Sequence, residues 1–387
     1  MPSTARLVVS GAVANLAVGT LFGWSLVAPA LMTDVGASDS SGSGVFALAL
    51  VAFSAALLGV GRGLRRLGAR RLLGVAAVLA GVGLGLTAAG RWAGVPWIGV
   101  GLLFGTANGL AYGTAVALAA RVPGGRRGLA SGLVVGAYAA GPVVLGLVAP
   151  RVLPAVGWRT GLAVLAVLVT GLVGLAAVLA PVDRAPARGS EQPERRVPVP
   201  FRSVVALWLL FAGGALPGLV VFSAAAPLAS AAGLGAGAAG AAVSLLAAGN
   251  LAGRVGAGWW SDRVGRPAAV ASTLVLSAVA LGGLAVSTVP AVVLTGFAGI
   301  GLAYGGVSAL VPAVTADRVG PRAFPTVYGR VFTAWGCAGL AAPLLVSQGA
   351  ATASARPEVF LLLAAPLLVA VAALMSLTAE AGSRPGR

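Results

Sequence analysis

The chain has 387 residues, of which 58% are hydrophobic and 9% charged, and its mean hydropathy is +0.99. A soluble domain carries about 25% charged residues, so this composition excludes an ordinary water-soluble fold and points to an integral membrane protein. The formal net charge of +17 comes from 26 arginines against 9 acids, yet those arginines sit in short segments between apolar runs. That placement argues against a nucleic-acid-binding surface.

Lys and His are absent, an arginine habit expected of a GC-rich bacterial genome, and the single Cys337 excludes an intramolecular disulfide. Without His, and with nearly every acid outside the apolar runs, no metal site or other cofactor is expected. The 59 glycines read as close helix packing rather than phosphate cradles.

Apolar runs fall near 7–31, 44–61, 72–90, 97–120, 128–150 and 160–181, then near 203–228, 239–257, 268–287, 291–316, 327–349 and 358–380. Runs of roughly twenty residues are membrane-span candidates, so the spacing predicts an all-α integral membrane protein with twelve transmembrane helices. The first run passes Ala28-Pro29-Ala30, an A-x-A pattern, but its apolar stretch is longer than the 7–15 residues of a signal peptide core. It is read as a retained first span.

The stretch from Pro181 to Arg202 carries five arginines with Pro and Glu and has no apolar face to bury, so no secondary structure is expected there. The organisation that follows is a six-helix bundle over 1–181, a cytoplasmic linker over 182–202 and a second six-helix bundle over 203–387. With both termini inside, about 22 arginines fall on inner segments, Arg254 among them. Only Arg91, Arg151, Arg159 and Arg356 are left outside. The expected location is the bacterial inner membrane with both termini cytoplasmic.

The two halves repeat each other. GLAYG occurs at Gly109–Gly113 and again at Gly301–Gly305, Trp24-Ser25 with Pro29 matches Phe222-Ser223 with Pro227, and Gly128 with Pro142 matches Gly329 with Pro343. Odd spans match odd and even match even, so the repeat is parallel.

Between the eighth and ninth runs lies GWWSDRVGRP at Gly258–Pro267, read as a tight cytoplasmic turn with Trp at the membrane boundary. Its pattern G-x-x-x-D-R-x-G-R, carried by Gly258, Asp262, Arg263, Gly265 and Arg266, resembles the loop signature of the major facilitator superfamily. That resemblance implies two pseudo-symmetric six-helix bundles with a substrate site between them near the bilayer midplane. It also implies a gating role for the loop.

A closer resemblance is to the oxalate/formate antiporter branch. It rests on Tyr304–Pro343 with Thr315-Ala316-Asp317 and Thr333-Ala334-Trp335-Gly336, on Gly23-Trp24-Ser25, on Arg126–Gly132, and on Asn250-x-x-Gly253-Arg254. Oxalate carriers of that branch place one cation in span eight and another in span eleven. This chain has Leu246-Ala247-Ala248 and Trp335 at the matching places. A dianion in a low dielectric needs paired charge, so a monocarboxylate or a neutral solute is the better expectation.

Asp262 could dock at the N-terminus of span five, near Gly128, where the helix carries partial positive charge; the plainer reading is that it caps its own loop. In the pseudo-equivalent turn, Gly61–Arg71, Arg65 stands in place of the acid and is expected to be repelled by span eleven.

The candidate substrate contacts by position are Asn15, Thr20, Trp24, Asn108, Tyr112, Tyr138, Tyr304, Ser308, Thr333 and Trp335, and for each the alternative is ordinary helix packing. Tyr112 and Tyr304 lead because they share the repeated pentapeptide and because a phenol can donate to a carboxylate. No ionisable residue is expected in the middle of a span, so no side-chain proton relay is expected.

These features lead to a transporter of a small monocarboxylate or related organic anion by alternating access, acting as a monomer and not an enzyme. The alternative is a proton-coupled drug or metabolite exporter, favoured by Gly136, Gly141, Pro142 and Gly146, which resemble the antiporter glycine–proline motif. A membrane solute sensor is a further alternative.

Overall fold

The computed structural model describes residues 3–182, 199–349 and 363–382, and these residues are helical apart from short connections, with no strand among them. α1 covers Thr4–Leu26 and α4 covers Trp97–Ala120. Between them, one long helical stretch is broken at Gly68 into α2 (39–67) and α3 (69–89). A break at Gly157 likewise separates α5 (124–156) from α6 (158–179). The second half runs through α7 (Phe201–Ser223), α8 (Ala236–Val264) and α9 (Arg266–Val286). A break at Gly320 divides α10 (290–319) from α11 (321–349), and α12 covers Ala364–Gly382.

Twelve spans therefore stand among the described residues, six before and six after the expected linker. Most of that linker (183–198) and the start of the last apolar run (358–362) lie outside the described residues.

The helices reach further than the apolar runs because the chain reverses on single glycines. Gly68, Gly157, Gly265 and Gly320 have φ between 74° and 88°, a region open to glycine without steric cost. One residue thus ends one helix and starts the next. The expected loop at Gly258–Pro267 is for this reason not a loop: α8 continues through Asp262 and Arg263 to Val264, and α9 begins at Arg266.

Contacts between helices are made where a missing side chain lets backbones meet. A Cβ on Gly105 or Gly109 of α4 would strike the carbonyl oxygens of Ala49 and Phe53 on α2. On α10, a Cβ on Gly301 or Gly305 would strike those of Leu246 and Asn250 on α8. Lipid tails are as apolar as Leu, so van der Waals fit of this kind holds membrane helices together.

These contacts also define the repeat. Ala49 and Phe53 lie 197 residues before Leu246 and Asn250, while Gly105 and Gly109 lie 196 before Gly301 and Gly305. The turn glycines agree: Gly36 and Gly233, and Gly68 and Gly265, are each 197 apart. The repeated GLAYG pentapeptides are 192 apart. Sequence identity and packing equivalence thus differ by about one helical turn.

The described residues group into two compact units. One takes Met1–Val122, Ala137–Pro198 and Pro321–Gly329; the other takes Pro123–Gly136, Val199–Gly320 and Arg330–Arg387. The start of α5 accordingly belongs with α8 to α10, and the start of α11 belongs with α1 to α4.

Candidate functional site

In the second unit the end of α8 meets the start of α5. Gly258 has no Cβ, and one placed there would strike the carbonyl of Gly128. The backbones come close enough for Asp262 to reach the N-terminal end of α5, where its carboxylate accepts from the N–H of Gly128 at 2.9 Å and of Leu129 at 2.8 Å. These are the fifth and sixth residues of α5, near its N-terminus, where the helix dipole adds to the attraction. Arg266 Nη1 donates to the same carboxylate at 2.8 Å, and Arg266 Nε donates to Asp317 at 2.7 Å. Asp317 also pairs with Arg127. Two cations and two anions make the cluster neutral. Arg263 takes no part and lies over the Trp259 ring, 3.4 Å from its centroid.

In the pseudo-equivalent turn of the first unit, Arg65 is not repelled from α11. Its guanidinium donates to the Thr326 hydroxyl at 3.1 Å. A hydroxyl oxygen offers an acceptor that a bare helix end lacks.

Deeper in the second unit, Tyr304 on α10 accepts a hydrogen bond from Trp335 Nε1 on α11 at 2.8 Å. The Arg254 guanidinium lies 5.9 Å from the Tyr304 ring centroid. Arg254 was expected on an inner segment, but α8 continues ten residues beyond it, about 15 Å of helix, and the side chain is only 7% exposed. A buried cation thus lies inside α8, where arginine bias alone put it on an inner segment. Its Nε donates to Asn250 Oδ1 and its Nη1 to the Val135 carbonyl, both at 3.0 Å. Of the five N–H groups of a guanidinium, these contacts use two, and among the described residues no carboxylate pairs with it. The i, i+4 spacing of Asn250 and Arg254 was the sequence signal for this pair.

The other candidates of this unit are near neighbours in part. Ser308 bonds the Tyr304 carbonyl one turn back at 2.8 Å. Thr333 instead faces α7, accepting from Trp208 Nε1 at 3.0 Å.

The first unit holds a neutral counterpart. Tyr138 donates to Asn108 Oδ1 at 2.8 Å, and Asn108 Nδ2 donates to the Val18 carbonyl at 2.6 Å. Tyr138 and Trp335 are 197 apart, Asn108 and Tyr304 196 apart, so by packing the partner of Tyr304 is Asn108 and not Tyr112. Tyr112 lies 3.4 Å from the Tyr328 hydroxyl and packs edge-on against Tyr138.

Trp24 stands apart, giving its Nε1–H to the Gly42 carbonyl at 2.8 Å beside an apolar cavity of about 190 Å³. Thr20 bonds the Ala17 carbonyl on the same helix, and Asn15 is fully buried on α1. Of the glycine–proline set, Gly136 lies against Val255 and Gly141 against the Leu16 carbonyl. Pro142 is inside α5, and Gly146 faces open space.

A chain of twelve apolar spans in a parallel six-plus-six repeat is a multi-pass membrane transporter by architecture. It belongs to the Major Facilitator Superfamily, whose family model matches residues 10–228 and 218–386. It is similar to the uncharacterized MFS-type transporter YhjX of Escherichia coli (strain K12), 24% identical over 336 residues, covering 84% of this chain and 83% of that protein. Among solved structures, a bacterial homologue of the iron transporter ferroportin in an outward-facing state matches with a TM-score of 0.72 at 14% identity, covering 99% of this chain and all of that one. The proton:xylose symporter XylE matches at 0.70 and 15%, covering 96% and 94%. The human organic anion transporter MFSD10 (TETRAN) matches at 0.69 and 17%, covering 96% and 100%.

Proposed function

We propose that this transporter carries a small organic monoanion by alternating access, with Arg254 as the group that receives the negative charge. The observation that carries the reading is a buried guanidinium inside a span, held by Asn250 and Val135, with N–H groups to spare and no carboxylate partner among the described residues. A buried charge without a counter-charge costs several kcal/mol, and ionisable residues within spans mark cargo pathways. An anion that supplies the missing charge removes the cost. One cation matches one negative charge, which favours a monocarboxylate over a dianion such as oxalate. Tyr304 borders the same guanidinium, and with Trp335, which donates to its hydroxyl, supplies aromatic surface for the rest of the cargo. MFSD10, of like fold, is an organic anion transporter, which is the same kind of cargo.

In this reading the two six-helix halves on either side of 182–202 alternate, and Asp262 at the N-terminal end of α5 is the latch of one gate. The chain works as a monomer in a bacterial inner membrane.

The test is uptake of labelled formate, lactate, pyruvate and oxalate into proteoliposomes, with and without trapped internal anion. Monocarboxylate flux that trapped anion stimulates supports the reading and identifies exchange. Oxalate flux alone, or flux only of neutral or cationic solutes, refutes it.

A further inference from the structure

The turn between α2 and α3 carries Arg62, Arg65, Arg66, Arg70 and Arg71, all exposed, and the sequence has no acid between Asp39 and Asp183. Arg65 is used by Thr326. The other four make no ion pair among the described residues. The pseudo-equivalent turn at the end of α8 differs: Arg266 is paired with Asp262 and Asp317, and Arg263 lies over Trp259. The first turn thus concentrates positive charge that pairs with no described carboxylate.

Its place matters as much as its charge. α3 starts at residue 69 and ends at Ala89, about 31 Å of helix, which is one hydrocarbon thickness. Arg70 and Arg71 in its first turn therefore sit at the level of lipid headgroups. A cation is also unfavourable in the first turn of a helix, so these two arginines carry a cost that an anion lying against them would relieve. Leu67, 42% exposed at the tip of the turn, suits the acyl boundary beside such a headgroup.

We propose that this turn is a binding site for anionic phospholipid headgroups of the leaflet it faces. Each arginine near a charged membrane surface contributes about fivefold in affinity.

Native mass spectrometry of the full-length protein with added phosphatidylglycerol or phosphatidylethanolamine tests this. Preferential phosphatidylglycerol adducts are expected, weakened at least tenfold in the Arg66→Gln/Arg70→Gln/Arg71→Gln variant and retained when the same positions carry Lys. Arg151→Gln, an exposed arginine elsewhere, should leave the adducts unchanged. If the glutamine variant does not insert, hydrogen exchange of residues 61–71 in wild-type protein decides: protection in phosphatidylglycerol nanodiscs over phosphatidylcholine nanodiscs is expected. No lipid preference, equal exchange, or displacement of the lipid by millimolar glycerol phosphate would overturn the proposal.

Discussion

In the proposed function, Arg254 is the side chain on which cargo charge turns. Arg254→Gln keeps hydrogen-bonding capacity but removes the cation. A hydrogen bond to a charged group contributes about 1.5–3 kcal/mol, so KM for the anion should rise about 10- to 100-fold. Asn250→Asp tests the same point from the other side. It places a carboxylate where Arg254 Nε now finds an amide oxygen at 3.0 Å, so the internal pair should compete with cargo and flux should fall while the protein stays folded. An unchanged KM in both variants would rule Arg254 out. Asp262→Asn loses the charge that two backbone N–H groups and Arg266 share. The expected result is faster labelling of single cysteines placed along the inner face, in a Cys337→Ser background because Cys337 is itself exposed. Unchanged labelling would mean that Asp262 is no latch.

Helix contacts in this fold are made by glycine against backbone carbonyl, and such contacts cannot yield as a flexible side chain would. Gly305→Ala would drive a methyl into the Asn250 carbonyl, and overpacking of that kind costs about 1–3 kcal/mol. It should lower the melting temperature in detergent and disturb Arg254, which lies one turn along the same face of α8. Gly146→Ala is the matched control, because nothing lies near its added carbon. Ala is the better helix former by about 0.5–1 kcal/mol, so this variant should melt at or above the wild-type temperature. Equal melting of the two variants would show that the α8–α10 contact is not tight.

Across the whole molecule the two units repeat in packing but not in charge. Arg254, Asp262 and Arg266 correspond, 197 residues earlier, to Leu57, Arg65 and Ala69, and Asp317 on α10 corresponds, 196 earlier, to Arg121. The charge cluster around Asp262 is thus not repeated in the first unit, which pairs Arg159 with Asp34 elsewhere and carries an aromatic and amide cluster around Tyr138 and Asn108. Arginine bias further predicts that both termini face the cytoplasm. Alkaline phosphatase fused after Arg387 should be inactive and a fluorescent protein fused there bright, with the reverse pattern after Arg91. An active phosphatase at the C-terminus would invert the topology.

The sequence by itself determined the class of molecule. Hydropathy is a sum over residues and needs no coordinates, so twelve spans, a six-plus-six order and the Gly258–Arg266 signature could be read directly. For Asp262 it offered two places, the N-terminus of α5 by the helix dipole or a cap on its own turn, and the structure shows the first. It could not decide register or burial. GLAYG matched itself 192 residues apart, yet backbone contact is made at 196 to 197, because helices align by where glycines admit a neighbouring carbonyl and not by identity of letters. Arginine bias counts Arg254 with the inner segments, yet a turn made on the single residue Gly265 lets α8 run on past it. Whether that guanidinium lies in water or between helices depends on which helix packs over it, and only the tertiary structure decides that.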